Sequence, residues 1–273
     1  KPRYLLLMGD GSYDMKNIVN INTNYIPTYQ SESSLIPAST GSAGTYVSDD
    51  YFGFLDDTES DRLGNVVDVG IGRFPVRTLS QANEMVNKVK EYYKSSSFGS
   101  WRNNIGMVGD DEDSNIHMNQ TDDLSKIIKD SAAEYNIDKI LFDAYRQETA
   151  AGGERYPDVN NAIENRIDKG ALFLTYTGHG GELGWGHERV LDVNQINAWD
   201  NLQNMPAMLT ATCEFSRYDD PFRTSAGELA LLNPNGGVIG LLTTTRLVYS
   251  SPNFVISQAF LKNAFKNNEY GEK

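Results

Sequence analysis

The chain has 273 residues, with 24 lysines and arginines against 37 aspartates and glutamates, which gives a formal net charge of −13 at pH 7. Because binding to phosphates requires clustered Lys and Arg, this balance argues against a nucleic-acid partner. No run of about 18 uncharged apolar residues occurs, so the sequence predicts no membrane-spanning segment. The single cysteine excludes an internal disulfide.

Strands and helices alternate along the first part of the chain. Strands are predicted at residues 4–8 and 66–72, and a helix at 79–94 carries apolar residues at helical spacing. The chain opens directly in the first strand, so we expect it to be a fragment of a longer protein. A polar stretch at 95–99 then predicts a boundary between an N-terminal α/β subdomain at 1–98 and a second one at 99–273.

The second part follows the same alternation. The predicted strands are 105–109, 140–142, 171–177, 206–212 and 237–243, and the predicted helices are 119–134, 158–168, 225–232 and 253–266. This order predicts an α/β fold with mostly parallel sheets flanked by helices in each subdomain.

One cysteine and one histidine follow two of these strands. Cys213 comes just past the strand at 206–212, and His179 follows the strand at 171–177. Carboxyl ends of parallel strands meet at one edge of a sheet, so the two side chains are expected on adjacent strands at that edge. A thiolate nucleophile and an imidazole that shuttles its proton are the requirements of a cysteine hydrolase.

The alternative is structural, since a lone cysteine is commonly a small buried hydrophobe. The flanking residues favour catalysis. Gly178 and Gly180 leave His179 nearly without neighbouring side chains, so backbone N–H groups can approach a substrate. Cys213 is followed by polar Glu214 rather than by further core residues.

A carboxylate that fixes the imidazole tautomer would assist such a pair. Asp110 and Asp111 follow the strand at 105–109 and are therefore expected at the same sheet edge. A helix cap or an ordinary loop residue is the alternative for either of them.

Several short motifs carry a family resemblance. Thr177-Gly-His-Gly180 and Thr212-Cys213, with Tyr249-Ser-Ser-Pro252, resemble the gingipain-type cysteine peptidases. Asp49-Asp-Tyr-Phe-Gly53 and Gly70-Ile-Gly-Arg-Phe74 resemble the first subdomain of that family. The resemblance covers nearly the whole chain. It implies a fold similar to that of caspases, with the second subdomain catalytic.

The resemblance also implies a role for each matching residue. His179 would be the general base, Cys213 the nucleophile, and Asp110 the acid that orients the histidine. The backbone N–H groups of Gly180 and Cys213 would form the oxyanion hole.

Two further residues match substrate-binding positions of the family. Arginine-cleaving gingipains have an aspartate in the primary specificity pocket, where this chain has Asn115. A buried guanidinium needs a paired carboxylate, so we expect no strong preference for Arg or Lys. Tyr249 falls near an aromatic residue that covers the same pocket.

Within the family, the chain is similar to the sortase branch of the Bacteroidetes type IX secretion system. The opening Pro2-Arg-Tyr-Leu-Leu-Leu-Met-Gly9, the acidic run 110–113 and His117-Met118 carry this likeness. It implies an enzyme on the extracellular side of the outer membrane that removes the C-terminal signal of secreted cargo and attaches the cargo to surface lipopolysaccharide. Other components of the secretion system would be its partners. A secreted endopeptidase and a noncatalytic surface binding module are the alternatives.

No cofactor is expected for the chemistry. The acidic loops 49–61 and 110–113 are either solvated surface or sites of a structural calcium ion, which prefers several carboxylates in one loop. His187 is predicted to be a loop residue. It and His179 have no third ligand at a metal-binding spacing, so zinc is not expected.

Overall fold

The computed structural model describes residues 2–31, 46–59 and 66–266. Its strands are β1 (Tyr4–Met8), β2 (Tyr29–Gln30), β3 (Val47–Ser48), β4 (Gly70–Phe74), β5 (Asn104–Gly109), β6 (Asn136–Leu141), β7 (Glu148–Ala150), β8 (Gly153–Arg155), β9 (Phe173–Thr177), β10 (Gly180–Gly181), β11 (Gly184–Trp185), β12 (Leu191–Asp192), β13 (Ala207–Ala211) and β14 (Gly240–Leu242). Its helices are α1 (Leu79–Tyr92), α2 (Glu112–Ser131), α3 (Pro157–Lys169), α4 (Val193–Ala198), α5 (Ala226–Leu232) and α6 (Ser250–Ala264).

A five-stranded parallel sheet forms the centre of the second half, in the order β14-β13-β9-β5-β6. Both faces of the sheet are buried. Ile105 and Met107 of β5 pack with α2 and α6 on one face, while Val108 packs with α3 and α5 on the other. The alternation of side chains along a strand explains this division. The predicted α/β fold with a mostly parallel sheet flanked by helices is confirmed.

The first half is built around smaller sheets. Strands β1 and β4 pair in parallel, and β2 and β3 pair antiparallel. Val76 and Met85 belong to the same apolar cluster as the helices of the second half. Arg77 forms ion pairs with Asp10 at 2.7 Å and with Glu228 at 3.5 Å. The two halves therefore share a core, and the boundary at residue 98 stays a prediction.

Short elements and helix ends are where the structure differs from the sequence-based expectation. The predicted helix at 119–134 is part of α2, which begins at Glu112 and includes three residues with left-handed backbone angles, Asp113 to Asn115. The hairpin β7–β8 and the antiparallel sheet β10-β11-β12 were not predicted, because strands of two or three residues are too short to show periodicity. Within the described ranges, every helix is too short or too polar to cross a membrane.

Lys88 is an exception to the apolar interior. Its side chain is 1% exposed, and its ammonium donates a hydrogen bond to the carbonyl oxygen of Leu231 at 2.6 Å. Burial lowers the pKa of Lys88 to about 7. The folded protein therefore binds this proton less tightly than the unfolded chain does.

We predict that Lys88→Met stabilises the protein at pH 6 by about 1–4 kcal/mol, the range found when buried ion pairs are replaced by apolar residues of similar volume. Because Lys88 binds its proton more tightly in the unfolded chain than in the folded one, its contribution to the stability of the parent protein rises with pH above 7. The advantage of the variant should therefore shrink as pH rises from 7 towards 10. Urea unfolding at several pH values measures this, with exposed Lys90→Met as the matched control. A gain that does not depend on pH would contradict the prediction.

Candidate active site

Three neighbouring parallel strands end at the same edge of the central sheet. Strand β13 pairs with β9, and β9 pairs with β5, in parallel register throughout. Asp110 follows β5 directly, while His179 and Cys213 follow β9 and β13 after one further residue. The prediction that the thiol and the imidazole follow adjacent strands is confirmed by this order, whereas their catalytic roles stay predictions.

Glycines allow the histidine loop to lie close to both neighbouring loops. A Cβ atom at Gly178 would lie 2.4 Å from the Asp110 Cβ atom, and one at Gly180 would lie 2.5 Å from the Thr212 hydroxyl. Such distances are far below van der Waals contact, so larger residues would push His179 away from Asp110 and from the cysteine loop.

The backbone N–H of Gly180 is directed away from its strand partner. The N–H of Gly186 donates to the carbonyl oxygen of His179 at 2.8 Å, which makes Gly180 and Trp185 a non-hydrogen-bonded pair of the β10–β11 ladder. Among the described residues, the backbone N–H of Cys213 also has no acceptor. Both N–H groups of the expected oxyanion hole are thus left out of the sheet ladders.

The cysteine loop is anchored by the segment that follows β14. The Glu214 N–H donates to the carbonyl oxygen of Arg246 at 3.1 Å, and the Cys213 thiol donates to the carbonyl oxygen of Val248 at 3.6 Å. Arg246 itself binds both carboxylate oxygens of buried Asp219, at 2.8 and 2.6 Å. Glu214 has a φ of 50°, a strained angle for a residue with a side chain. The thiol is therefore positioned at a tight turn that is fixed from a second segment.

The resting thiol is protonated at neutral pH. Burial, together with the negative charge of Glu214, raises the pKa of Cys213. Within the described residues, no hydrogen bond joins the sulfur to the imidazole of His179. The thiol is thus held by the carbonyl oxygen of Val248 and not by the imidazole.

Asp110 contacts the histidine through the backbone instead of the ring. Its side chain is 0% exposed. One carboxylate oxygen accepts the N–H of His179 at 2.8 Å and the other accepts the N–H of Glu112 at 2.9 Å. The expected contact between Asp110 and the imidazole is absent from the structure. Asp111 accepts a hydrogen bond from the Tyr156 hydroxyl at 2.6 Å and does not contact the imidazole either.

The carboxylate on the imidazole belongs to a residue that sequence reasoning missed. Asp113 Oδ2 lies 3.1 Å from His179 Nε2, and Glu112 Oε2 lies 3.6 Å from the same nitrogen. Asp113 is the first of three consecutive residues with left-handed backbone angles. The acidic run 110–113 was visible in the sequence but suggested calcium. Asp113 is placed to orient the ring, which leaves Nδ1 without a partner in the described part of the chain.

All three histidines of the chain meet at this edge. The ring of His179 lies 5.2 Å from that of His117 and 5.0 Å from that of His187. Glu112 contacts His187 Nδ1 at 2.9 Å and raises the pKa of that histidine. The expectation that His179 and His187 lack a third metal ligand was therefore wrong, since Glu112 is available to both. It reaches them because β5 lies next to β9, which sequence spacing does not reveal.

The two predicted substrate-binding residues lie on the surface. Asn115 is exposed within the left-handed stretch, and Tyr249 is 59% exposed just before α6. A cleft of about 620 Å³ beside the site is lined by Gly180, Glu182 and Glu214, among others. A second cleft, of about 490 Å³, is lined by the segment 243–248. Asn115 and Tyr249 line neither cleft, and their assignment to a specificity pocket stays a prediction.

Most acids of the loops 49–61 and 110–113 that the structure describes form contacts with other groups of the protein. Asp49 pairs with the Nε and Nη2 nitrogens of Arg73, each at 2.7 Å. The four acids at 110–113 contact backbone N–H groups, Tyr156 or histidines. Asp56, Glu59 and Asp68 bring carboxylate oxygens within 4.8 Å of one another. Part of the acidic loop, residues 60 and 61, lies outside the described residues.

Comparison with known proteins identifies the family. Residues 1–273 match the sequence model of Peptidase family C25. The chain belongs to this family of gingipain-like cysteine peptidases. None of the curated proteins matches it in sequence.

Several solved structures share the fold of this chain. The crystal structure of the Arg-specific cysteine proteinase gingipain R (RgpB) matches with a TM-score of 0.70 at 14% identity, over 99% of this chain and 55% of that one. The complex of the pro- and mature domains of RgpB from Porphyromonas gingivalis matches with a TM-score of 0.69 at 14% identity, over 97% and 55%. A further protease structure matches with a TM-score of 0.66 at 16% identity, over 94% and 48%. The chain thus spans about half the length of these relatives, and the likeness establishes the fold.

For this C25 chain we predict that Asp110→Asn lowers both stability and turnover. An asparagine has a single acceptor oxygen, so one of the two N–H groups that Asp110 binds would face a buried amide nitrogen. An unsatisfied buried donor costs about 1–3 kcal/mol. Thermal unfolding and turnover of a thioester substrate would measure the two effects. The matched control is Asp111→Asn, whose amide oxygen can still accept the Tyr156 hydroxyl. A larger loss of turnover in the control would contradict the role of Asp110.

We also predict that alkylation of Cys213 by iodoacetamide keeps accelerating above pH 9. The thiolate is the reactive form, and its pKa is raised by burial and by Glu214. Glu214→Gln removes the nearby negative charge and should increase the rate at any fixed pH below the plateau. Intact-mass measurement is unambiguous because Cys213 is the only cysteine, and Cys213→Ala is the blank. A rate that levels off below pH 8 would show instead that the free enzyme holds a thiolate–imidazolium pair.

Proposed function

We propose that the protein is a cysteine peptidase in which Cys213 is the nucleophile and His179 the general base. The observation that carries this proposal is the placement of both residues at the carboxyl ends of adjacent parallel strands, β13 and β9. Membership of Peptidase family C25 supports it. The close approach of Gly180 to Thr212 supports it further, because it brings the histidine loop against the residue that precedes the nucleophile.

Acylation begins from the neutral thiol. The free Nδ1 of His179 accepts the thiol proton as the sulfur attacks the carbonyl carbon of the scissile bond. Asp113 on Nε2 favours the tautomer that leaves Nδ1 unprotonated, and it stabilises the imidazolium that forms. Asp110 holds the peptide of His179 in place through its N–H and is thus a positioning residue.

The negative charge that develops on the carbonyl oxygen needs hydrogen-bond donors. The N–H groups of Gly180 and Cys213 supply them, since neither is used by the sheet ladders. Loss of one such donor typically lowers turnover about 10²–10³-fold. The imidazolium then protonates the leaving amine, and the acyl group remains on the sulfur as a thioester.

We further propose that the acceptor of this acyl group is an amine rather than water. The sequence likeness to the type IX sortase branch supports this choice. The substrate is then the C-terminal signal region of secreted cargo, and the acceptor is an amino group of surface lipopolysaccharide. The enzyme would act on the outer face of the cell, with other components of the secretion system as its partners. A structural calcium ion at Asp56, Glu59 and Asp68 would support the fold and take no part in the chemistry.

The test uses the full-length protein, cargo with an intact C-terminal signal, and lipopolysaccharide. We expect a thioester adduct on Cys213, released signal peptide, and cargo whose mass is increased by the glycolipid. His179→Ala should lower turnover about 10²–10⁴-fold, the usual contribution of a general base. His187→Ala is the matched control, because that imidazole stacks on His179 but lies outside the proposed chemistry.

The outcomes separate the alternatives. Cleavage that proceeds with lipopolysaccharide present but yields only free cargo would assign the protein as an endopeptidase. Binding of cargo without cleavage or adduct would assign it as a noncatalytic module. Cleavage by Cys213→Ala would show that the nucleophile lies elsewhere.

A further inference from the structure

His117 is a buried histidine without a hydrogen-bond partner. Its residue is 5% exposed, and within the described residues neither ring nitrogen makes a hydrogen bond. The nearest carboxylate oxygen is Asp113 Oδ2, 3.6 Å from Nε2. Leaving a buried polar group unsatisfied costs about 1–3 kcal/mol. A cation bound between the ring and the carboxylate would satisfy Nε2.

The geometry around His117 fits a small transition-metal dication. Asp113, His117 and His179 each offer one ligand atom, and these atoms lie within 4.8 Å of one another. Asp113 Oδ2 is 3.1 Å from His179 Nε2 and 3.6 Å from His117 Nε2. Tetrahedral zinc with ligands at 2.0–2.1 Å places neighbouring ligand atoms about 3.3 Å apart. Two imidazoles and one carboxylate match zinc better than calcium, which prefers oxygen ligands.

We propose that Asp113, His117 and His179 bind a transition-metal dication, with Zn²⁺ as the reference ion and water in the fourth position. The metal takes the lone pair of Nε2 of His179. The neutral ring then carries its proton on Nδ1, the nitrogen that would otherwise accept the thiol proton. The bound metal therefore switches the general base off reversibly, a consequence that rests on the function proposed above.

Glu112 and His187 form a competing ligand set on the same imidazole. Their atoms lie 2.9 Å apart and already satisfy each other, and the His187 side chain is 70% exposed. His117 has no hydrogen-bond partner among the described residues, and a bound metal would satisfy its buried Nε2. We therefore assign the metal to the set that contains His117. Substitutions in each set can separate the two possibilities.

Isothermal titration of the full-length protein with zinc chloride tests the site without reference to activity. We expect one zinc ion per chain. Asp113→Asn and His117→Gln should each weaken binding at least about tenfold, or 1.4 kcal/mol. His187→Gln, Glu112→Gln and Asp123→Asn, an exposed acid on the same helix, should leave the affinity unchanged. Asp113 is exposed, so its variant remains informative if His117→Gln does not fold.

Three outcomes would overturn the proposal. The parent protein could bind no zinc. Binding could be lost in Cys213→Ala, which would show that the thiol is a ligand. Binding could also be lost in His187→Gln or Glu112→Gln while Asp113→Asn retains it, which would place the metal on the other side of the ring.

A second experiment tests whether zinc bound at this site inhibits catalysis. Zinc should inhibit turnover by the parent enzyme, and a zinc-selective chelator should restore it. Asp113→Asn should require at least about tenfold more zinc for the same fractional inhibition. If no turnover is detected at all, the function proposed above fails, whereas the titration still decides whether the metal binds.

Discussion

A fully buried carboxylate holds the candidate site together. Asp110 lies at the end of the central strand β5, and its two oxygens accept backbone N–H groups from two different loops, one carrying His179 and the other opening α2. Charge-assisted hydrogen bonds of this kind are short and strong, and they have no competition from water at this depth. Gly178 is required for the same reason, because any side chain there would collide with Asp110. The position of the imidazole, and of the acids that contact it, follows from this contact.

A second set of contacts fixes the thiol independently. The cysteine loop takes its hydrogen bonds from the segment after β14, including the Thr244 hydroxyl on the carbonyl oxygen of Thr212. The guanidinium of Arg246 anchors that segment to buried Asp219. His179 is thus positioned by Asp110 at the end of β5, whereas Cys213 is positioned by the segment that follows β14. Mutations that disturb one loop need not disturb the other.

The sequence was sufficient to predict the strands that carry the chemistry, because each is a continuous apolar run at the centre of a parallel sheet. The adjacency of β9 and β13 also followed, since they are separated by a length of chain that suits one crossover. The contact between Asp113 and the imidazole could not be predicted in this way. It depends on three consecutive left-handed residues, Asp113 to Asn115, of which none is glycine, and intrinsic preferences do not favour that conformation. The convergence of three histidines was equally hidden, because it depends on which strands lie side by side.

The anchoring of Cys213 by Val248 and Arg246 also bears on the order in which the protein matures. During synthesis the nucleophile emerges before the residues that hold it, and the histidine emerges earlier still. Until the segment after β14 has docked, the thiol turn lacks both its hydrogen bonds and its burial. The turn that positions the nucleophile is therefore complete only when the edge strand of the sheet and the segment after it are in place.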